Sequence, residues 1–166
     1  FQVKQGIGFA INQGAHVINL SLNFFAPNSS GNSQMDLMVD WAAFNRGISC
    51  AICGGNIRTG NGSQNVRGPG SAYNGVTVGR TTADYSRVHS DSAAAFTADG
   101  RMKPDLVAPG TGLTLANDDW EGSAFDWDFG LGGCSFATPL VAGLMAQQIE
   151  AGTTHSPGTS HLAVKT

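Results

Sequence analysis

Charge is what this 166-residue chain has least of: Asp, Glu, Lys and Arg make up 13% of it, where about 25% is usual in a globular domain. With 9 Lys+Arg against 12 Asp+Glu, the net charge of −3 offers no basic surface for nucleic acid and too little repulsion to keep the chain disordered. Long apolar runs are missing as well. Although 41% of the residues are hydrophobic, no window approaches the roughly 18 consecutive apolar residues of a membrane-spanning helix. The three cysteines, Cys50, Cys53 and Cys134, cannot all pair within the chain, which excludes a disulfide scaffold and leaves the redox compartment open. The chain opens on Phe1 without a charged n-region, apolar stretch and small-residue cleavage site, so a start cut or processed at Phe1 is expected. One soluble domain, or part of one, remains.

Glycine is abundant instead: 23 of 166 residues, about twice the usual ~7%, which calls for tight turns and close backbone approaches. Val3, Ile7, Ala10 and Ile11 form one apolar helical stripe, and Gly14 stands where a helix would end. His16 to Leu22 reads as a strand. Pro27 to Ser33 is a connector into a second helix carrying Met35, Met38, Val39, Trp41 and Ala42, which stops near Gly47. Ile48 to Cys53 is an unbroken apolar run, as in a parallel strand covered on both faces. Residues 54–70 read as loop. Further strands are expected at Val76 to Thr81, Asp105 to Ala108 and Leu113 to Ala116, and a helix from Phe136 to Ile149 with Pro139 tolerated in its first turn. The alternation predicts an α/β fold, a three-layer α/β/α arrangement around an open, mostly parallel sheet with right-handed crossovers.

Gly132-Gly133-Cys134-Ser135-Phe136 puts a serine on a glycine-led turn into a helix. The glycines would expose its Oγ, and the free N–H groups at the helix start favour developing negative charge. An ordinary N-cap serine has the same local pattern. The longer stretch Gly133-Cys134-Ser135-Phe136-Ala137-Thr138-Pro139-Leu140-Val141-Ala142-Gly143 resembles the nucleophile signature of the subtilisin-like serine proteases (subtilases). Three more segments resemble that family in the same order: Gly14 to Leu22, Ala51 to Asn56, and Lys103 to Gly110. The resemblance identifies residues 1–166 as a single, partial catalytic domain of a serine endopeptidase, its sheet incomplete on the N-terminal side.

That resemblance implies that Ser135 attacks the peptide carbonyl and that the Asn56 side-chain amide, with the Ser135 N–H, forms the oxyanion hole. It also implies that Ser21, Leu22 and Asn23 offer backbone to an extended substrate. Cys53, Gly54 and Gly55 would wall the opposite side of the pocket. Asn23 replaces the family's usual Gly. The family's Asp and His motifs precede the nucleophile and are not found in these residues. His16 replaces an Asp on a strand, His89 lies in a polar loop, and His155 and His161 follow the nucleophile helix, so none is expected to act as base. The chain alone is therefore expected to be inactive or nearly so.

Cys50 and Cys53 have C-x-x-C spacing but sit in the apolar strand, where plain core packing is the expectation and a redox pair a distant alternative. Cys134 stands where the family generally has Thr, and a weakly donating thiol is expected to loosen the site. Asp118, Asp119, Glu121, Asp126 and Asp128 gather in a loop before the serine, readable as a solvated cluster, a calcium site centred on Asp126 and Asp128, or an attractor of basic substrates. An α/β-hydrolase would need an Asp after the serine, and none follows Ser135. A degenerate subtilase module that binds peptides without cutting them is the rival reading. No cofactor is required for the chemistry, and a structural calcium is the one metal considered. The expected partner is a polypeptide, with no nucleic acid and no membrane. Self-association or an upstream segment would cover the open sheet edge, and the resemblance implies a secreted or extracytoplasmic location.

Overall fold

The computed structural model describes residues 2–24, 30–56, 66–116 and 127–155. Helix α1 (Gln2–Asn12) buries Ile7, with Val3, Ala10 and Ile11 against the same core, and the chain turns at Gly14 in the left-handed region. Strand β1 (Val17–Leu20) follows. Helix α2 (Gln34–Arg46) begins with a capping box, in which Asp36 N–H donates to the Ser33 hydroxyl and Ser33 N–H to the Asp36 carboxylate. It ends at Gly47, whose φ of 66° is the left-handed cap that glycine adopts without a Cβ penalty. Strands β2 (Ser49–Cys53) and β3 (Val76–Arg80) are buried throughout.

Short strands β4 (Ala95–Phe96) and β5 (Met102–Lys103) form an antiparallel pair, then β6 (Leu106–Ala108) rejoins the main sheet. Strands β7 (Thr111–Ala116) and β8 (Trp127–Gly132) form a second antiparallel pair leading into helix α3 (Cys134–His155). The main sheet runs β1-β2-β3-β6, all parallel, with Ile18 beside Cys50 and Arg80 beside Ala108. Alternation along β2 divides the core. Cys50 and Ile52 join Ile7, Ile18, Leu20 and Val39 on the α1–α2 side, while Ala51 joins Val78, Ala108, Ala137 and Val141 beneath α3. This is the expected three-layer α/β/α arrangement.

Several expectations need correction. The acidic segment that ends at Asp128, expected to be loop, runs into β8 at Trp127, because this backbone pairs with β7, a partner that sequence periodicity does not reveal. The β4–β5 pair was also not expected, since two-residue strands are too short for a period of two to register. Helix α3 starts at Cys134, two residues earlier than expected, which puts Pro139 in the second turn instead of the first.

Candidate active site

All four parallel strands point their carboxyl ends at one edge of the sheet, where ligands of open α/β folds bind. β1 runs out into Ser21 to Asn23, β2 into Gly54 to Asn56, and β6 into Pro109-Gly110. The amino end of α3 is docked against these segments: Gly133 N–H donates to Gly110 C=O at 2.8 Å.

Four amides open α3, and three have acceptors. Gly133 N–H is taken by Gly110, Cys134 N–H by Asn56 Oδ1 at 3.0 Å, and Phe136 N–H by Gly133 C=O at 3.1 Å. The Ser135 N–H is left without an acceptor among the described residues. The same Cys134 contact fixes the Asn56 amide, because an N–H must meet its oxygen; Nδ2 is then the free donor. A Cβ on Gly133 would lie 3.4 Å from that Nδ2, in van der Waals contact, so the amide sits directly beside the turn. Among the described residues, two neutral donors, Ser135 N–H and Asn56 Nδ2, thus have no acceptor around the start of α3, the kind of group that stabilises an oxyanion.

Ser135 Oγ donates to Ser21 C=O at 3.3 Å and lies 3.9 Å from Cys53 Sγ. Pro139 explains why Ser21 can hold the serine from both sides. Having no N–H, Pro139 cannot bond the Ser135 carbonyl four residues back, and the Ser21 hydroxyl donates to it instead at 2.9 Å. Leu22 and Asn23 continue from Ser21, half-buried, with backbone groups that bond nothing among the described residues; Phe24 N–H then turns away to Gly68 C=O. Asn23, in place of glycine, reaches across to within 3.4 Å of where a Gly55 Cβ would stand. Gly54 and Gly55 are buried on the facing side, Gly54 N–H bonded to Val78 C=O at 2.9 Å and Gly55 at φ 115°.

Cys53 and Cys134 are joined by a disulfide, Cα to Cα 5.4 Å, within the ordinary span of such a bond. This corrects the expectation that Cys53 is plain core and that Cys134 is a loosening thiol. The C-x-x-C reading fails too, since Cys50 and Cys53, three apart in one strand, face opposite layers. Cys50 stays free and buried, and burial, with a lesser contribution from the charge of Asp40, pushes its thiol up to about 12.

Arg80 was not singled out by its sequence context, being one residue in an apolar strand. Its buried guanidinium pairs with Asp91 at 3.1 Å and approaches Gly110 C=O at 3.5 Å. A Cβ on Gly132 would stand 2.5 Å from its Nη1, so Gly132 and Arg80 share one space behind the nucleophile turn.

None of the described histidines reaches Ser135. His16 is exposed at the amino end of β1, the opposite edge of the sheet, and His89 Nδ1 accepts from Asp91 N–H at 3.1 Å. The His155 side chain, His161, Asp126 and the Asp128 side chain lie outside what the structure describes. Among the described residues no group of three or more His, Cys, Asp or Glu is placed to hold a metal ion.

The Peptidase_S8 family model, described as the subtilase family, matches residues 1–165. Pyrolysin of Pyrococcus furiosus is 30% identical over 88% of this chain and 12% of its own length. A thermostable alkaline protease of Halalkalibacterium halodurans is 34% identical over 87% of this chain and 34% of its own length. The chain thus spans a minor part of these relatives. The self-cleaved protease domain of PatA superposes with a TM-score of 0.76 at 23% identity, covering 96% of this chain and 54% of that one, a likeness of fold.

Proposed function

The chain belongs to the subtilase family, and we propose that it is part of a serine endopeptidase whose nucleophile and oxyanion hole it supplies. One observation supports this most directly: among the described residues the Ser135 N–H and Asn56 Nδ2 have no acceptor beside the start of α3, two donors available to the negative oxygen of a tetrahedral intermediate on Ser135. Ser135 Oγ forms the acyl bond with the substrate carbonyl. A His carried elsewhere in the complete protein takes its proton and returns it to the leaving amine, and an Asp orients that His and stabilises its charged form. Leu22 and Asn23, whose backbone bonds nothing among the described residues, receive the extended peptide as an added strand.

The open edge of β1 is covered by further strands of the complete protein or by a second copy. A buried disulfide suits an oxidising compartment, which favours an extracytoplasmic location. The described helices include none long and apolar enough to cross a membrane.

In the complete protein, Asn56→Ala is expected to lower kcat on a chromogenic peptide about 10²–10³-fold with KM little changed, the magnitude established for subtilisin itself on loss of its oxyanion-hole amide. An unchanged kcat would remove Asn56 from the mechanism. A second reading is favoured by one observation, the lack of any described histidine near Ser135: a module that holds peptides without cutting them. Peptide binding with no turnover in the complete protein would select it.

A further inference from the structure

The Cys53–Cys134 bond has a position that core packing does not require. Cys53 ends β2, three residues before Asn56, and Cys134 opens α3, immediately before Ser135. The bond therefore links the two segments that carry the two oxyanion donors. It sits among contacts that depend on it: Gly55 N–H points to Cys134 Sγ at 3.2 Å, Asn23 Nδ2 to Cys53 Sγ at 3.8 Å, and Ser135 Oγ stands 3.9 Å from Cys53 Sγ. Thr138 adds a buried hydroxyl on Cys134 C=O at 2.7 Å. Both cysteines are fully buried.

We propose that the Cys53–Cys134 disulfide is a positioning element for catalysis, setting the Asn56 amide and the Ser135 N–H at one separation, and that peptide hydrolysis depends on its oxidation state. This rests on the peptidase reading above. Reduction by an external thiol breaks the Sγ–Sγ bond; each sulfur gains a proton, and two equivalents of the thiol are oxidised to their own disulfide. Among the described residues, the Asn56 loop and the start of α3 are then held together by non-covalent contacts alone: Cys134 N–H to Asn56 Oδ1, Gly55 N–H to Cys134 Sγ, and Cys53 Sγ beside Ser135 Oγ.

The test begins with thiol counting by maleimide and intact mass under denaturing, non-reducing conditions: one adduct, at Cys50, is expected before reduction and three after it. In the complete protein, full reduction should lower kcat about tenfold to 100-fold at nearly constant KM, as misplacement of a reacting group does, with recovery on reoxidation. Cys53→Ala/Cys134→Thr, which offers Gly55 N–H a hydroxyl, should ignore reductant and fall between the oxidised protein and Cys53→Ala/Cys134→Ala. Three adducts before reduction, or an unchanged kcat after it, overturns the proposal. If untreated protein neither binds an active-site probe nor cleaves, the peptidase reading is what fails. The positioning claim is then decided on ¹⁵N-labelled chain: the Ser135 amide and Asn56 side-chain resonances should move on reduction while those of Val39 and Ala43 in α2 stay, and unmoved resonances refute it.

Discussion

Ser135 and Asn56 stand out in the sequence, and the structure brings their segments together, because each sits in a run whose neighbours serve the same turn: two glycines before Asn56 and two before Cys134. Their partners were less legible. Ser21 was expected only as backbone for substrate, yet its hydroxyl holds the Ser135 carbonyl that Pro139 leaves free, a relation spanning 114 positions. The cysteines mislead for a similar reason. Spacing pairs Cys50 with Cys53, whereas alternation along β2 sends them to opposite layers and leaves Cys53 facing α3. Cys50 should therefore be unreactive in the fold. Burial keeps its thiol neutral, ionising at about 12 against 9.0 in the open, so the stability it lends is intact below about pH 9 and lost as the pH climbs toward 12. Iodoacetamide at pH 8 should leave Cys50 unmodified in native protein and alkylate it in denaturant. Rapid native alkylation would show that the site opens.

At the scale of elements, α1, β1, α2, β2 and β3 were readable since each combines a clear apolar pattern with its own stop signal, such as Gly14 after α1 and Gly47 after α2. β4, β5 and β8 were not, because two-residue strands are too short to show a period and β8 is defined by its pairing with β7 and not by local periodicity. The junction of β6 with α3 is the tightest place near the site. A Cβ on Gly110 would stand 2.8 Å from Arg80 Cβ, 2.9 Å from Gly133 C=O and 3.1 Å from Ala137 Cβ, none of them a flexible chain end. Gly110→Ala should cost about 1–3 kcal/mol through overpacking, read as a lower urea midpoint, and should weaken the Gly133–Gly110 hydrogen bond that seats α3. A midpoint unchanged from the parent would mean that α3 can shift freely on the sheet.

Across the whole molecule, the site is assembled from segments far apart in sequence: Ser21 after β1, Asn56 after β2, Gly110 after β6 and Ser135 on α3. A parallel sheet brings the ends of its strands together, and the disulfide closes a separation of 81 residues across them. Such a crosslink restricts the unfolded chain and is worth about 2–4 kcal/mol on that ground alone. In the proposed function these residues supply a nucleophile with two oxyanion donors, and the proton-transferring half is assigned to other sequence of the complete protein. The central claim is that Ser135 becomes a nucleophile when those parts are joined. The most direct measurement is fluorophosphonate labelling followed by peptide mapping, on this chain and on a longer form carrying the catalytic Asp and His. The account predicts one adduct on Ser135 in the longer form, none in its Ser135→Ala variant, and little or none on the chain alone. An unlabelled longer form, or an adduct on any other residue, would contradict it.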